Sequence, residues 1–329
     1  MQGESDDEDE GGDGVKRVFR PGIDALPDGE ELIYDPSAYV MYHSFRTEWP
    51  CLTFDLFRDD LGDNRQRFPH SMFMMSGSQA DKQDANKLTL LKLSDLGKTP
   101  KQETEEDEDD NNSDTDDEVD YEPVLEHVDV PHMGGINRLR CMPTTPGGTI
   151  APGIVATMGD NGKANIFDLR AVLKGLMSGQ PYPKSVVPTK AAYTMHAHTT
   201  EGYAIDWSPT VLGRLASGDC AADICVWMDG LNHKPATQMF KGHTDSVEDL
   251  QWSPSETTVF CSASADNTVK VWDIRGTTGP QISIDAHTDD VNVIAWNPSV
   301  NYLLASGCDD GSFKVCDTIP PPHAFSPPP

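Results

Sequence analysis

Three tryptophans, Trp207, Trp252 and Trp296, recur at intervals of 45 and 44 residues, and each follows a histidine by nine: His198, His243 and His287. A unit of this length holds about four short strands and cannot bury its apolar faces alone. A chain built from such units must stack them on one another.

The unit has internal landmarks. Each tryptophan is followed by Ser-Pro or Asn-Pro, at Ser208-Pro209, Ser253-Pro254 and Asn297-Pro298. Twenty residues further on, one slot holds Trp227, Trp272 and Cys316. Ten residues before that slot stand Ser217, Ser262 and Ser306, and six before it Ala221, Asp266 and Asp310. Between landmarks the residues alternate, as in Thr268 to Asp273, and Gly, Asn and Asp break the runs every 8 to 12 residues, the cadence of short antiparallel strands.

With Gly242-His243 near its start and Trp272-Asp273 near its end, the central unit resembles the WD-repeat family. The resemblance implies an all-β propeller. His132, Cys141, Pro143 and Phe167 to Arg170 read as a degenerate copy, and His70 to Met75 with Lys87 to Leu93 as two strands of a first blade. About five blades are thus expected between residues 68 and 318, where a propeller of this family commonly has seven. Cys316 replaces the expected Trp, and the Pro-rich stretch after it has no strand character. The expectation is a chain that departs from its parent frame near residue 316 and lacks about two blades, leaving an open sheet edge and an apolar seam. A five-bladed ring with a tail is the alternative.

His243, Ser262 and Asp266, echoed by His287, Ser306 and Asp310, have the residue types of a hydrolase triad. A triad is built once, at a strained turn with an oxyanion hole. Repetition at blade spacing instead predicts a structural network in which His, Ser, Asp and Trp272 satisfy one another. In the repeat holding Ala221, Asp219 or Asp223 is expected to substitute. No catalytic residue, cofactor or metal site is read from this sequence. Gly11 to Gly14 is no phosphate loop, because neither a strand nor a Lys-Ser/Thr pair flanks it.

Charge is the second constraint. The formal net charge is −29, and 20 of the 54 acids lie in two base-free tracts, Glu4 to Asp13 and Glu103 to Glu122. Such tracts repel themselves and bury nothing, so they are expected to be disordered. Glu103, Glu105, Glu106, Asp107, Glu108, Asp109, Asp110, Asp114, Asp116, Asp117 and Glu118 are the candidate residues for holding basic proteins, with a merely solubilising role as the alternative reading. The same field repels phosphates, which disfavours nucleic acid as a partner. Ser5, Ser113 and Thr115 precede acids and resemble substrates of acidophilic kinases. No apolar run nears the 18 to 20 residues that span a bilayer, and the acidic N-terminus is no signal segment, so no membrane partner is expected. Seven cysteines without tight spacing suggest a reducing compartment, and Cys220, Cys225, Cys261, Cys308 and Cys316 read as core thiols.

From Tyr34 to Trp49, Ala38, Tyr42 and Phe45 are spaced as a helical stripe with Pro36 in its first turn, and Leu52, Phe54 and Leu56 alternate as a strand. Glu48 to Thr53 resembles the N-terminal module of histone-binding WD-repeat proteins. In that family the strand completes the last blade and the helix lies on the flank. The resemblance to the histone-binding and ribosome-assembly WD-repeat family spans nearly all of residues 1 to 315. It implies a non-enzymatic nuclear and nucleolar chaperone whose clients are a large-subunit ribosomal protein and core histones. It also implies half a client groove along Tyr39, His43 and Arg46, the other wall belonging to a late-blade loop beyond the matching region. The division expected is an acidic disordered N-terminus over 1–30, helix and closing strand over 31–58, blades over 59–318 interrupted by an acidic disordered loop at 99–123, and a disordered Pro-rich tail over 319–329.

One further motif opens another class. Trp272-Asp273-Ile274-Arg275 resembles the docking motif of substrate receptors for cullin-type ubiquitin ligases, with Phe167 to Arg170 a weaker copy. Asp273 and Arg275 would then meet a ligase adaptor. The alternative is that Arg at this turn simply belongs to the propeller.

Overall fold

The computed structural model describes residues 38–317 except 60–61, 63, 100–120, 145–152, 230, 232–236 and 277–278, together with Leu26, Gly29 and Leu32. The candidate acidic residues from Glu103 to Glu118, the phosphorylation candidates Ser5, Ser113 and Thr115, and the Pro-rich tail lie outside the described residues. So does Pro36, at the start of the expected helix.

Nineteen strands form five antiparallel sheets in chain order, an all-β, propeller-like arrangement. The first holds β1 (Cys51–Phe57), β2 (His70–Ser78), β3 (Lys87–Leu96) and β4 (Val124–Pro131). The second holds β5 (Ile136–Cys141), β6 (Ile154–Gly159), β7 (Ala164–Asp168) and β8 (Tyr193–Met195). The third holds β9 (Ala204–Trp207), β10 (Leu215–Gly218), β11 (Ile224–Trp227) and β12 (Thr237–Phe240). The fourth holds β13 (Val247–Trp252), β14 (Val259–Ser264), β15 (Thr268–Asp273) and β16 (Ile282–Asp285), and the fifth β17 (Val291–Trp296), β18 (Leu303–Cys308) and β19 (Phe313–Asp317). Among the described residues, no helix is long and apolar enough to cross a membrane.

Each sheet buries its alternate residues against the next, so four apolar layers separate the five sheets. In the third layer Trp252, Phe260 and Trp272 meet Ala204, Ala216 and Val226. First strands are also latched forward by hydrogen bonds. Asp55 Oδ2 accepts from Cys141 N–H at 2.7 Å, Asp206 Oδ2 from Trp252 N–H at 2.8 Å and Asp249 Oδ2 from Ile294 N–H at 3.1 Å. Gln251 Oε1 accepts from Trp296 N–H in the same way.

The end sheets each present one apolar face. Val269 and Val271 in β15 are 0% and 6% exposed beneath the fifth sheet. Their equivalents in β19, Phe313 and Val315, are 79% and 62% exposed, and on β1 the exposed face carries Leu52, Phe54 and Leu56.

Two expectations for the N-terminal module are corrected. Ala38 to Pro50 forms bends and a 3-10 residue, with no α-helix. An isolated helix of this length depends on burying its stripe, and Tyr39, Tyr42 and Phe45 remain exposed, so nothing offsets the cost of nucleation. The strand β1 also does not complete the last sheet. It pairs with β2, Phe57 opposite Phe73, because the intervening connection returns it directly as an antiparallel neighbour.

The described α-helix, α1 (Arg170–Ser178), lies instead in the long connection between β7 and β8. Val172, Leu173 and Leu176 bury into the first apolar layer, and Gly179 ends the helix at a φ of 61°, a left-handed C-cap that glycine adopts without strain.

Candidate functional site

The repeat histidines enter side-chain networks beneath the blades. In the fourth sheet His243 Nδ1 lies 2.8 Å from Asp266 Oδ2 and Nε2 lies 2.6 Å from Ser262 Oγ, while Trp272 Nε1–H donates to that same oxygen at 2.8 Å. In the third, His198 joins Asp219 and Ser217 at 2.9 and 2.7 Å, and Trp227 donates to Ser217. Asp219 therefore takes the role that Ala221 cannot. The second sheet has no carboxylate here: His132 Nδ1 meets Gly134 O at 2.9 Å and Nε2 meets Thr157 Oγ1 at 3.0 Å.

The fifth sheet departs from the expected pattern. His287 Nε2 meets Ser306 Oγ at 2.8 Å, but Nδ1 meets Ser312 Oγ at 3.0 Å and not Asp310. The Asp310 carboxylate turns to the backbone N–H of Ser312 and to the Thr288 hydroxyl. With Cys316 in place of Trp, no indole among the described residues reaches Ser306.

These atoms are buried and engaged with one another, Ser262 Oγ receiving an indole N–H where a nucleophile would need a substrate. Burial lowers the His243 pKa and outweighs the Asp266 carboxylate that opposes it. Burial acts upward on Asp266 too, but hydrogen bonds from Thr268 and His243 prevail and bring it to about 2. The pair is thus a neutral imidazole and an ionised carboxylate. Because His243 in the fold titrates below its ordinary 6.5, its contribution is complete above that value and lost as pH falls beneath it. Asp266 adds a second loss between 3.8 and about 2. Unfolding midpoints in urea from pH 8 to pH 4 are expected to fall below pH 6.5, and less steeply in His243→Gln. Identical slopes in the two proteins would disprove this linkage.

The groove candidates flank the stem of the acidic tract. His43 Nε2 lies 3.1 Å from the Gly97 carbonyl, Thr99 N–H donates to the Val40 carbonyl at 3.0 Å, and Tyr121 packs on Gly97. Tyr39 stacks obliquely on Tyr42 at 5.5 Å, and Arg46 lines a cavity with Trp49, Leu91, Leu125 and His127. This stem stands at the end of the first sheet where β2 begins, Leu96 pairing with His70.

At the opposite end, where the repeat histidines sit, the fold gathers Asp245, Asp289, Asp290 and Asp309. Partial desolvation, followed by the fields of Asp289, Asp309 and Asp245, pushes the Asp290 carboxyl above its ordinary value. This ridge was missed in the sequence. Its signal was available, since Asp245 and Asp289 each follow a repeat histidine by two residues. A further cavity, between first strands, holds Asp55, Arg140, Asp206 and Gln251 among Trp207, Trp252 and Trp296. Burial pushes Asp206 up to about 7 despite the Trp252 N–H.

Asp273 and Arg275 form an exposed clamp, Arg275 Nη2 lying 2.5 Å from Asp273 Oδ2, and Arg170 with Asp168 repeats it at the same distance.

Residues 234–273 and 279–317 match the WD domain, G-beta repeat family, over the third-to-fourth and the fourth-to-fifth sheet segments. This is a WD-repeat protein. Residues 29–96 of the WD-repeat chain match a second family, that of the histone-binding protein RBBP4 and its counterpart in the CAF1 complex. The chain is 45% identical to glutamate-rich WD repeat-containing protein 1 of Dictyostelium discoideum, across 80% of this chain and 54% of that one. It is 43% identical to the Arabidopsis thaliana protein HEAT STRESS TOLERANT DWD 1, across 81% of this chain and 60% of the relative. It is 39% identical to ribosome assembly protein rrb1 of Schizosaccharomyces pombe, across 75% and 50% respectively. The WD-repeat protein thus spans about half the length of these relatives.

Proposed function

We propose that this WD-repeat protein is a non-enzymatic nuclear and nucleolar escort for basic proteins, core histones and a large-subunit ribosomal protein, in chromatin and ribosome assembly. The observation that carries the reading is the tract from Glu103 to Glu122, 13 acids without a base, inserted between two strands of one sheet. Many weak contacts from such a segment neutralise a lysine-rich client without demanding one geometry. The ridge around Asp290 supplies a second carboxylate surface, held in place by the fold. The names of the relatives and the histone-binding match over residues 29–96 support the same clients. A pull-down of purified core histones by the full chain at two salt concentrations tests it. Capture is expected at low salt and much weaker capture at high salt, where the Debye length shortens. Salt-independent capture, or none, would overturn the reading.

The exposed Asp273–Arg275 clamp and its copy at Asp168–Arg170 favour a second reading, a substrate receptor for a cullin-type ligase. Arg275→Ala is expected on that reading to abolish co-purification with a ligase adaptor while histone capture persists. Unchanged co-purification, or no adaptor with either protein, would remove it.

A further inference from the structure

The fifth sheet differs from its neighbours in a way that creates donor atoms for a metal. His287 Nδ1, Cys308 Sγ and an Asp310 carboxylate oxygen all lie within 4.8 Å of one another. An ion such as Zn²⁺ sits about 2.0–2.3 Å from N, O and S donors, so its donors stand about 3–4 Å apart. Rotation of the exposed Asp310 side chain closes the difference.

Protonation of the imidazole decides which repeat histidine can ligate. In the third and fourth sheets Nδ1 faces a carboxylate, Asp219 or Asp266, and in the second a carbonyl, Gly134 O. These partners only accept, so Nδ1 must carry the proton. The serine hydroxyl then donates to Nε2 and receives the tryptophan N–H, as Ser262 does from Trp272.

In the fifth sheet the chain of donors runs the other way. Cys316 stands where the indole would be and directs its thiol to Leu304 O, so Ser306 Oγ is open to accept the Nε2 proton of His287. Nδ1 then presents a lone pair, and its partner Ser312 is a hydroxyl that can donate to it. Among the described repeat histidines, His287 alone has a partner set that leaves Nδ1 free to bind a cation.

Cys308 completes the set. It holds the slot of Ser264, whose hydroxyl accepts from Asp266 N–H, and its sulfur keeps the corresponding contact with Asp310 N–H at 3.5 Å. Hydrogen bonds from Ser312 hold the Asp310 carboxyl well below the usual range, so it is ionised at neutral pH. Asp309 and Asp290 add negative field nearby, Asp309 N–H donating to Asp290 O. A thiol, an imidazole and a carboxylate together suit borderline-soft divalent ions over Mg²⁺ or Ca²⁺.

We propose that His287, Cys308 and Asp310 form a three-residue site for Zn²⁺ or a similar thiophilic divalent cation, with water completing the shell. Binding replaces the S–H bond of Cys308 with an S–metal bond and releases the proton to solvent, while the Ser312 hydroxyl turns away from Nδ1. The expectation that Cys308 is only a core thiol is thereby revised.

Co²⁺ titrated into the reduced full chain tests the assignment. Thiolate-to-cobalt charge-transfer absorption saturating at one ion per chain is expected. Cys308→Ser, which installs the residue found in the fourth sheet, should abolish it, and Asp310→Asn should weaken affinity about 10- to 100-fold. Cys220→Ser should leave the band intact. A Zn²⁺-dependent rise in unfolding temperature should disappear in Cys308→Ser, whose metal-free unfolding reports that it folds. No charge-transfer band in the parent chain, or the same band in Cys308→Ser, would overturn the site.

Discussion

Trp272→Ala is expected to lower folding stability by about 3–5 kcal/mol, the range for truncating a buried aromatic residue. The ring is fully enclosed, stacked on Phe260 at 6.0 Å and edge-on to Phe240 at 5.8 Å. Its indole N–H is also the donor that completes the Ser262–His243–Asp266 network. Trp272→Phe would fill part of the cavity but leave Ser262 without that donor, so an intermediate loss is expected. Urea unfolding of the three proteins measures the series. A loss below about 1 kcal/mol for the alanine variant would mean that the network and its aromatic roof do not hold the third and fourth sheets together.

Removing residues 103–122 should weaken capture of a core histone by about 10- to 100-fold, the effect of losing a handful of exposed ionic contacts worth roughly 0.2–1 kcal/mol each. The deletion should also flatten the salt dependence. Substituting the ridge carboxylates Asp245, Asp289 and Asp290 by Asn leaves the tract intact and is expected to have the smaller effect, because three fixed charges are set against a tract of 13 acids. Fluorescence titration with a labelled histone separates the two. If deletion leaves both affinity and salt slope unchanged, the tract does not hold the client.

Repeated landmarks made the sheet cadence, the five units and the histidine network legible in the sequence. Trp272 and Ser262 sit at fixed distances from His243, and β13 to β16 follow from that grammar. What escaped had no repeat to measure against. The helix α1 falls in an insertion unique to the second unit, and its apolar face reads as a helix only once the layer that accepts Val172 and Leu173 is known. Tyr39, Tyr42 and Phe45 show the reverse: their spacing is helical, yet spacing alone supplies no surface to bury them. Asp310 also could not be placed from position, because replacing tryptophan by Cys316 alters which partners His287 faces. The Asp290 ridge depends on adjacent loops converging in space, a property that a linear pattern reports only when successive units are overlaid.

The hydrogen bonds from first-strand side chains to the next unit point one way along the chain. Asp206 waits for an amide 46 residues later, and Asp249 and Gln251 wait for amides 45 residues later. During synthesis each unit must therefore leave the ribosome with an unanswered acceptor and becomes fastened when its successor arrives. Assembly of this kind proceeds as a vectorial zipper from the amino end, at the pace of translation, and the newest unit is always the one most exposed to chaperones and proteases.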